Sequence, residues 1–135
     1  MTELLEGEVP IASEGDIVSA RKVVRKTAES LGFGVTDVTR IVTAASELTR
    51  NIFRYAGSGV MRWRKLANGN AQGLELTFAD EGPGIANVEE AMQAGFSSSG
   101  GLGMGLPGAK RLMDELTITS ELGKGTTVTV RKWRR

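Results

Sequence analysis

Glu47 and Asn51 stand four residues apart in a stretch whose apolar residues recur at helical spacing. Four residues are about one helical turn, so the carboxylate and the amide project from the same face. A carboxylate can take a proton, and an amide oxygen can hold a hard cation. Alternatively, the pair is a solvated glutamate beside a chance asparagine, and these two residues alone do not decide. Farther on, Asp80-Glu81-Gly82-Pro83-Gly84 puts an acceptor immediately before a turn, and a glycine-rich run extends from Gly95 to Gly105. Glycine adds no side chain to a core and costs conformational entropy, so it gathers where backbone turns sharply or approaches a ligand. A helical pattern follows at once. Pro107 suits its first turn, and Ala109, Leu112, Met113 and Leu116 form its apolar stripe. Free N–H groups and the helix dipole make such a junction a ready site for phosphate oxygens. The alternative is an ordinary flexible surface loop.

Two absences restrict the chemistry. The chain has no Cys, which rules out a disulfide framework, a thiol nucleophile and a thiolate metal site. It also has no His, which removes the Ser-His-Asp triad, an imidazole base and a phosphohistidine intermediate within this chain. Acid–base work falls to carboxylates. The formal net charge of +1 implies no broad polyanion-binding surface, so nucleic acid is not an expected partner. The basic run Arg131, Lys132, Arg134 and Arg135 reads as a solvated terminus. No apolar run is long enough for a membrane span and no signal-peptide pattern is present, so a cytoplasmic protein is expected, with no membrane partner.

The 135 residues suit one domain spanning 1–135, with residues 1–7 as a loose start. An edge strand is predicted from Glu8 to Ala12, where Pro10 is tolerable. Ser13 and Asp16 resemble a capping box with Asp in place of Glu. The helix they open carries Ile17, Ala20, Val24, Ala28 and Leu31 at spacings of three and four and stops at Gly32. A second helix, from about Thr36 to Tyr55, buries Ile41, Ala44, Leu48, Ile52 and Tyr55 and carries Glu47 and Asn51. Strands at Val60 to Leu66 and Leu74 to Ala79 flank a hairpin signal at Asn68-Gly69, and Asp80 closes the second strand. Asn87 suits the cap of a short helix reaching Ala94. Two last strands, Leu116 to Glu121 and Thr126 to Trp133, join through Gly123-Lys124-Gly125. This order predicts an α+β, two-layer sandwich: a mostly antiparallel sheet with helices on one face.

Gly103-Met104-Gly105-Leu106-Pro107-Gly108 fits the dinucleotide glycine pattern but lacks a surrounding βαβ unit. Gly123-Lys124-Gly125-Thr126 lacks the upstream glycine and the Lys-Thr pair of a P-loop. What remains resembles the GHKL superfamily of ATPases and kinases. The likeness runs from about Ile17 onward. It rests on Glu47-Leu48-Thr49-Arg50-Asn51, Asp80-Glu81-Gly82-Pro83-Gly84, Gly101-Leu102-Gly103-Met104-Gly105-Leu106 and Gly123-Lys124-Gly125-Thr126, four blocks in the superfamily's order.

The resemblance implies ATP and Mg²⁺ as ligands. It makes Asn51 the Mg²⁺ ligand, Glu47 the base, and Asp80 the acceptor for the adenine amino group. Gly82 and Gly84 would let the chain pass beside the base. Gly101, Leu102, Gly103, Met104 and Gly105 would wrap the phosphates, and Thr126 would help close the adenine end. Within the superfamily the chain is similar to the small serine/threonine kinases that control bacterial sigma factors by partner switching. The tracts from Ser46 to Ile52, Gly95 to Gly103 and Gly105 to Glu115 carry this likeness. It implies a STAS-domain antagonist as substrate and a phosphatase regulatory domain as activation target. A nucleotide-dependent binding module that sequesters a sigma factor is the alternative. Glu47 discriminates between them, since a pure binder needs no base beside the metal. The lid between Phe96 and Leu102 carries no Arg or Lys, which leaves Lys110, Arg50 and Arg54 as candidates to meet the γ-phosphate.

Overall fold

The computed structural model describes residues 5–84 and 105–134. Five strands form one antiparallel sheet: β1 (Glu6–Ile11), β2 (Gly59–Asn68), β3 (Ala71–Asp80), β4 (Glu115–Glu121) and β5 (Gly125–Trp133), ordered β1-β2-β3-β5-β4. Three described helices, α1 (Glu14–Ser30), α2 (Val35–Ala56) and α3 (Gly105–Leu112), accompany it. The predicted helix from Asn87 to Ala94 lies outside the described residues.

Asp16 opens α1 as its sequence promises: Oδ2 accepts from the Ala12 N–H at 2.8 Å and the Ser13 N–H at 3.0 Å. The Ala12 N–H, more than any other group, holds the Asp16 carboxyl below its usual range. Ala20, Val24, Thr27 and Ala28 are the buried face of α1. Gly57, at φ 83, ends α2 by donating its N–H to Ile52 and Phe53 carbonyls. Two stripes of α2 are buried, with Ile41, Ala44, Leu48 and Ile52 on one and Val38, Val42, Ala45 and Thr49 on the other. A helix buried across so wide an arc is the central beam of the helical layer.

Pleating divides the sheet into two unlike faces. Met61, Phe78 and Val128 stand in register on the inner face, as do Trp63, Leu76 and Val130. They join the core with Leu74 and the helices' buried residues. Directly opposed on the outer face are Glu6, Arg64, Glu75, Arg131 and Glu115, one from each strand and alternating in sign. Arg64 to Glu75 measures 3.1 Å and Arg131 to Glu75 2.8 Å. The inner face is sealed by apolar burial and the outer one by cross-strand charge.

Three expectations are corrected. Strand β1 begins at Glu6, and the Lys65 N–H donates to the Leu5 carbonyl at 2.8 Å, so residues 5–7 are held by the sheet and are not loose. Leu116 is not on the helix after the glycine run: α3 stops at Leu112, and Leu116 is a β4 residue packed against the core. The basic C-terminal run is only partly solvated among its described residues, Arg134 being the exposed one. Arg131 pairs with Glu75, Lys132 is buried, and the Arg134 side chain lies over Gly32 just past the end of α1. A guanidinium there complements a helix whose last turn has no basic residue of its own.

Candidate functional site

The open space nearest the predicted chemistry lies between α2, the ends of β3 and β5, and the start of α3. Leu48, Asn51, Ile52 and Ala56 from α2, Phe78, Asp80, Pro83 and Gly84 from β3 and its turn, Leu106 from α3, and Thr126 and Val128 from β5 line it. It encloses about 450 Å³ of open space, its mouth included. The wall is mainly apolar, with a few converging polar groups, which suits a flat aromatic ligand that has polar edges.

Asp80 is aimed by two N–H groups. Its Oδ1 accepts from Gly82 at 2.9 Å and from Thr126 at 3.3 Å. Among the described residues Oδ2 has no hydrogen-bond partner, so one acceptor is anchored and the other is left for a ligand donor. The glycines around it are required by chain packing. A Cβ on Gly82 would stand 2.6 Å from Ala56 Cβ, and Gly84, at φ 77, would drive one into the Glu121 backbone. Only Gly84 of the two lines the pocket. Gly82 acts on the site by letting the Asp80 turn close against α2. The Thr126 hydroxyl lies 2.9 Å from Ser120 Oγ, which fixes the β4–β5 hairpin beside Asp80.

Asn51, five residues before Ala56 ends α2, lines the pocket, and its buried Nδ2 has no partner among the described residues. A buried amide without a partner costs about 1–3 kcal/mol, so the arrangement makes sense when a ligand completes it. Rotating the amide by half a turn would present its oxygen instead. Glu47 does not line the pocket. It sits one turn earlier on α2, 42% exposed, with its Oε1 3.1 Å from Arg50 Nη1. Arg50 therefore already has a carboxylate partner, whereas Lys110 and Arg54 are exposed.

Asn51, Asp80, Gly84 and Thr126 are thus brought together. Gly105 begins α3, and Gly101, Leu102, Gly103 and Met104 lie outside the described residues. Reading the sequence as core alone missed the apolar walls. Leu48 and Ile52 look like stripe residues, and Phe78 and Val128 like sheet interior, yet all four face the pocket. The available signal was that Leu48 and Ile52 bracket Asn51.

A layer of helices over an antiparallel sheet, with a half-anchored carboxylate in an apolar cleft between them, defines an ATP-binding domain of the GHKL class. The profile of the histidine kinase-like ATPase domain matches residues 11–132, and the chain belongs to that family. Serine/threonine-protein kinase RsbT of Bacillus subtilis (strain 168) is 50% identical over 127 residues, covering 94% of this chain and 96% of that relative. An anti-sigma F factor of Thermoanaerobacter sp. (strain X514) is 35% identical over 120 residues, covering 84% of this chain and 82% of the relative. The crystal structure of RsbU and RsbW domains from Mycobacterium tuberculosis shares the fold with a TM-score of 0.67 at 20% identity, covering 98% of this chain and 34% of that one. No described helix is long and apolar enough to cross a membrane.

Proposed function

We propose that this chain is an ATP- and Mg²⁺-dependent serine/threonine protein kinase of a partner-switching pathway. Its substrate is a STAS-domain antagonist in a stressosome-like, cytoplasmic system, and phosphorylation of that substrate frees the kinase for a phosphatase regulatory domain. The observation that carries the reading is the division of labour along one turn of α2: Asn51 faces the pocket that Asp80 also lines, and Glu47 stays outside it on exposed surface. The 50% identity to RsbT over 94% of the chain supports the same reaction class.

Asp80 Oδ2 takes the adenine amino hydrogen bond, and Leu48, Ile52, Phe78 and Val128 supply apolar contact to the base. Asn51 lines the pocket with its Nδ2 unpartnered, and with the amide turned by half a turn its oxygen would be the one protein ligand to Mg²⁺, a hard cation that otherwise keeps phosphate and water oxygens. In this reading the phosphate oxygens of the nucleotide would supply further ligands. When bound, the metal offsets charge on the phosphates. Glu47 receives the proton as the acceptor hydroxyl oxygen bonds to the γ-phosphorus and the bridging P–O bond to ADP breaks. A base so placed contributes ~10²–10⁴-fold. Its ion pair with Arg50 is only partly buried and therefore weak, so a docking hydroxyl can displace it.

The similarity to anti-sigma F factors favours a second reading, in which nucleotide merely shapes a surface that grips a partner. Incubation with γ-labelled ATP and the STAS-domain proteins of the same genome separates the two. Label transferred to a Ser or Thr supports the kinase. Nucleotide-dependent complexes without any transfer support the binding module.

A further inference from the structure

Lys132 is only 7% exposed, in a chain whose other cations mostly stand at the surface. Buried lysines are rare unless paired. Its Nζ donates to the Leu112 carbonyl at 3.1 Å, the last residue of α3, and lies 3.6 Å from Asp114 Oδ1 and 3.8 Å from Asp37 Oδ1. Asp114 Oδ2 in turn accepts the Trp133 N–H at 2.7 Å, and the Asp114 N–H donates to the Arg131 carbonyl at 2.9 Å. Asp37 is in the first turn of α2 and is shared with Arg40 at 3.1 Å. One ammonium therefore ties together β5, the carboxyl end of α3 and the amino end of α2. Each charge is set at the helix end whose dipole it complements: the cation at the end of α3, the carboxylate at the start of α2.

These are the two helices that wall the nucleotide pocket, and both are tied at the ends away from it. α3 lines the pocket with Leu106, near its first residue, and meets Lys132 at its last. α2 lines it from Leu48 to Ala56 and meets Lys132 through Asp37. Lys132 lies six positions along β5 from Thr126, about 20 Å, so the ammonium does not touch a nucleotide bound beside Thr126.

We infer that Lys132 is a positioning residue for nucleotide binding, an anchor that holds α3 at the angle to α2 at which Leu106 meets the nucleotide. The inference rests on the nucleotide reading of the pocket. α3 has only eight residues, about two turns, too short to be stable alone; Leu106 and Ala109 seat it in the core, and Lys132 adds the charged tie at its carboxyl end. Freed at its carboxyl end, it spends part of its time turned from the pocket, and apparent affinity falls by the fraction of time it is competent.

The test is equilibrium titration with a fluorescent ADP analogue, with no partner present, alongside thermal unfolding. Lys132→Met keeps the apolar stem and deletes the charge; Lys132→Arg keeps a cation. Glu75→Ala, on the outer face and away from the pocket, is the control for simple loss of stability. The anchor predicts about tenfold weaker binding for Lys132→Met, recovery to within about threefold for Lys132→Arg, and unchanged affinity for Glu75→Ala. Should Lys132→Met not fold, Asp114→Asn carries the comparison, with a predicted loss of about fivefold. A folded Lys132→Met with wild-type affinity overturns the inference, as does a Glu75→Ala protein that loses as much affinity. If wild type itself binds no nucleotide, the pocket reading fails instead.

Discussion

Asp80 shows how one residue can be half structural and half available. Two backbone N–H groups occupy Oδ1, so an asparagine in its place would keep its carbonyl toward them and turn its NH₂ to where Oδ2 was. A donor would then face the donor amino group of adenine. Asp80→Asn is predicted to weaken ATP binding by about 10–100-fold with little change in melting temperature, and titration with a fluorescent ATP analogue measures it. Wild-type affinity would remove Asp80 from the base site. Asn51→Ala should lose the Mg²⁺-dependent part of ATP affinity and keep the Mg²⁺-independent part, which paired titrations with Mg²⁺ and with EDTA resolve. Sequence made these two residues legible because each is a polar residue at a fixed place in a motif. It did not reveal that Gly82 serves packing against Ala56, or that Arg50 is taken up by Glu47, because both depend on which neighbours the fold delivers.

At the scale of elements, α2 and the sheet carry opposite lessons. The apolar periodicity of α2 announced its buried face, but Thr49 is also wholly buried and its hydroxyl has no partner among the described residues. Thr49→Val replaces that hydroxyl with a methyl of similar shape and should raise stability by about 1 kcal/mol in urea unfolding. A loss of stability would mean that the hydroxyl is satisfied in solution. On the outer sheet face, Glu75 sits between two arginines, and Glu75→Ala should cost about 1 kcal/mol at low salt, less as salt rises. This row was not legible, since the alternation of sign arises only once five strands are placed in register. The start of α1 adds a pH dependence. The folded Asp16 carboxyl titrates below its ordinary 3.8, so its contribution is present above that value and is lost as pH falls through the lower, folded one. Asp16→Asn should therefore lower the melting temperature at neutral pH, and the difference from wild type should shrink as pH drops below about 4. A difference independent of pH would show that the carboxylate charge is not what caps α1.

At the scale of the whole molecule, the sequence order of strands and helices gave the two-layer sandwich directly, because hydrophobic periods of two and of three to four separate cleanly along this chain. The far end of the fold was harder to read. A run of arginines and lysine at a terminus looks solvated, and only the structure shows Arg131, Lys132 and Arg134 each set against a different element. The site in turn depends on the assembled layers: β3 and β5 hold Asp80, α2 holds Asn51 and Glu47, and α3 closes the wall. Within this frame the kinase account gives Glu47 one role, to receive the acceptor proton, and no role in holding nucleotide. A phosphorylated acceptor beside the Glu47 carboxylate would place like charges in a partly desolvated interface, which weakens the complex. The most direct test mixes this protein with a cognate STAS-domain protein and follows phosphorylation and co-elution before and after Mg-ATP, for wild type and Glu47→Ala in parallel. The account predicts that wild type phosphorylates its partner and dissociates, while Glu47→Ala binds ATP normally, transfers at least 100-fold more slowly, roughly the lower bound for a lost base, and stays bound. Transfer by Glu47→Ala at the wild-type rate would contradict it.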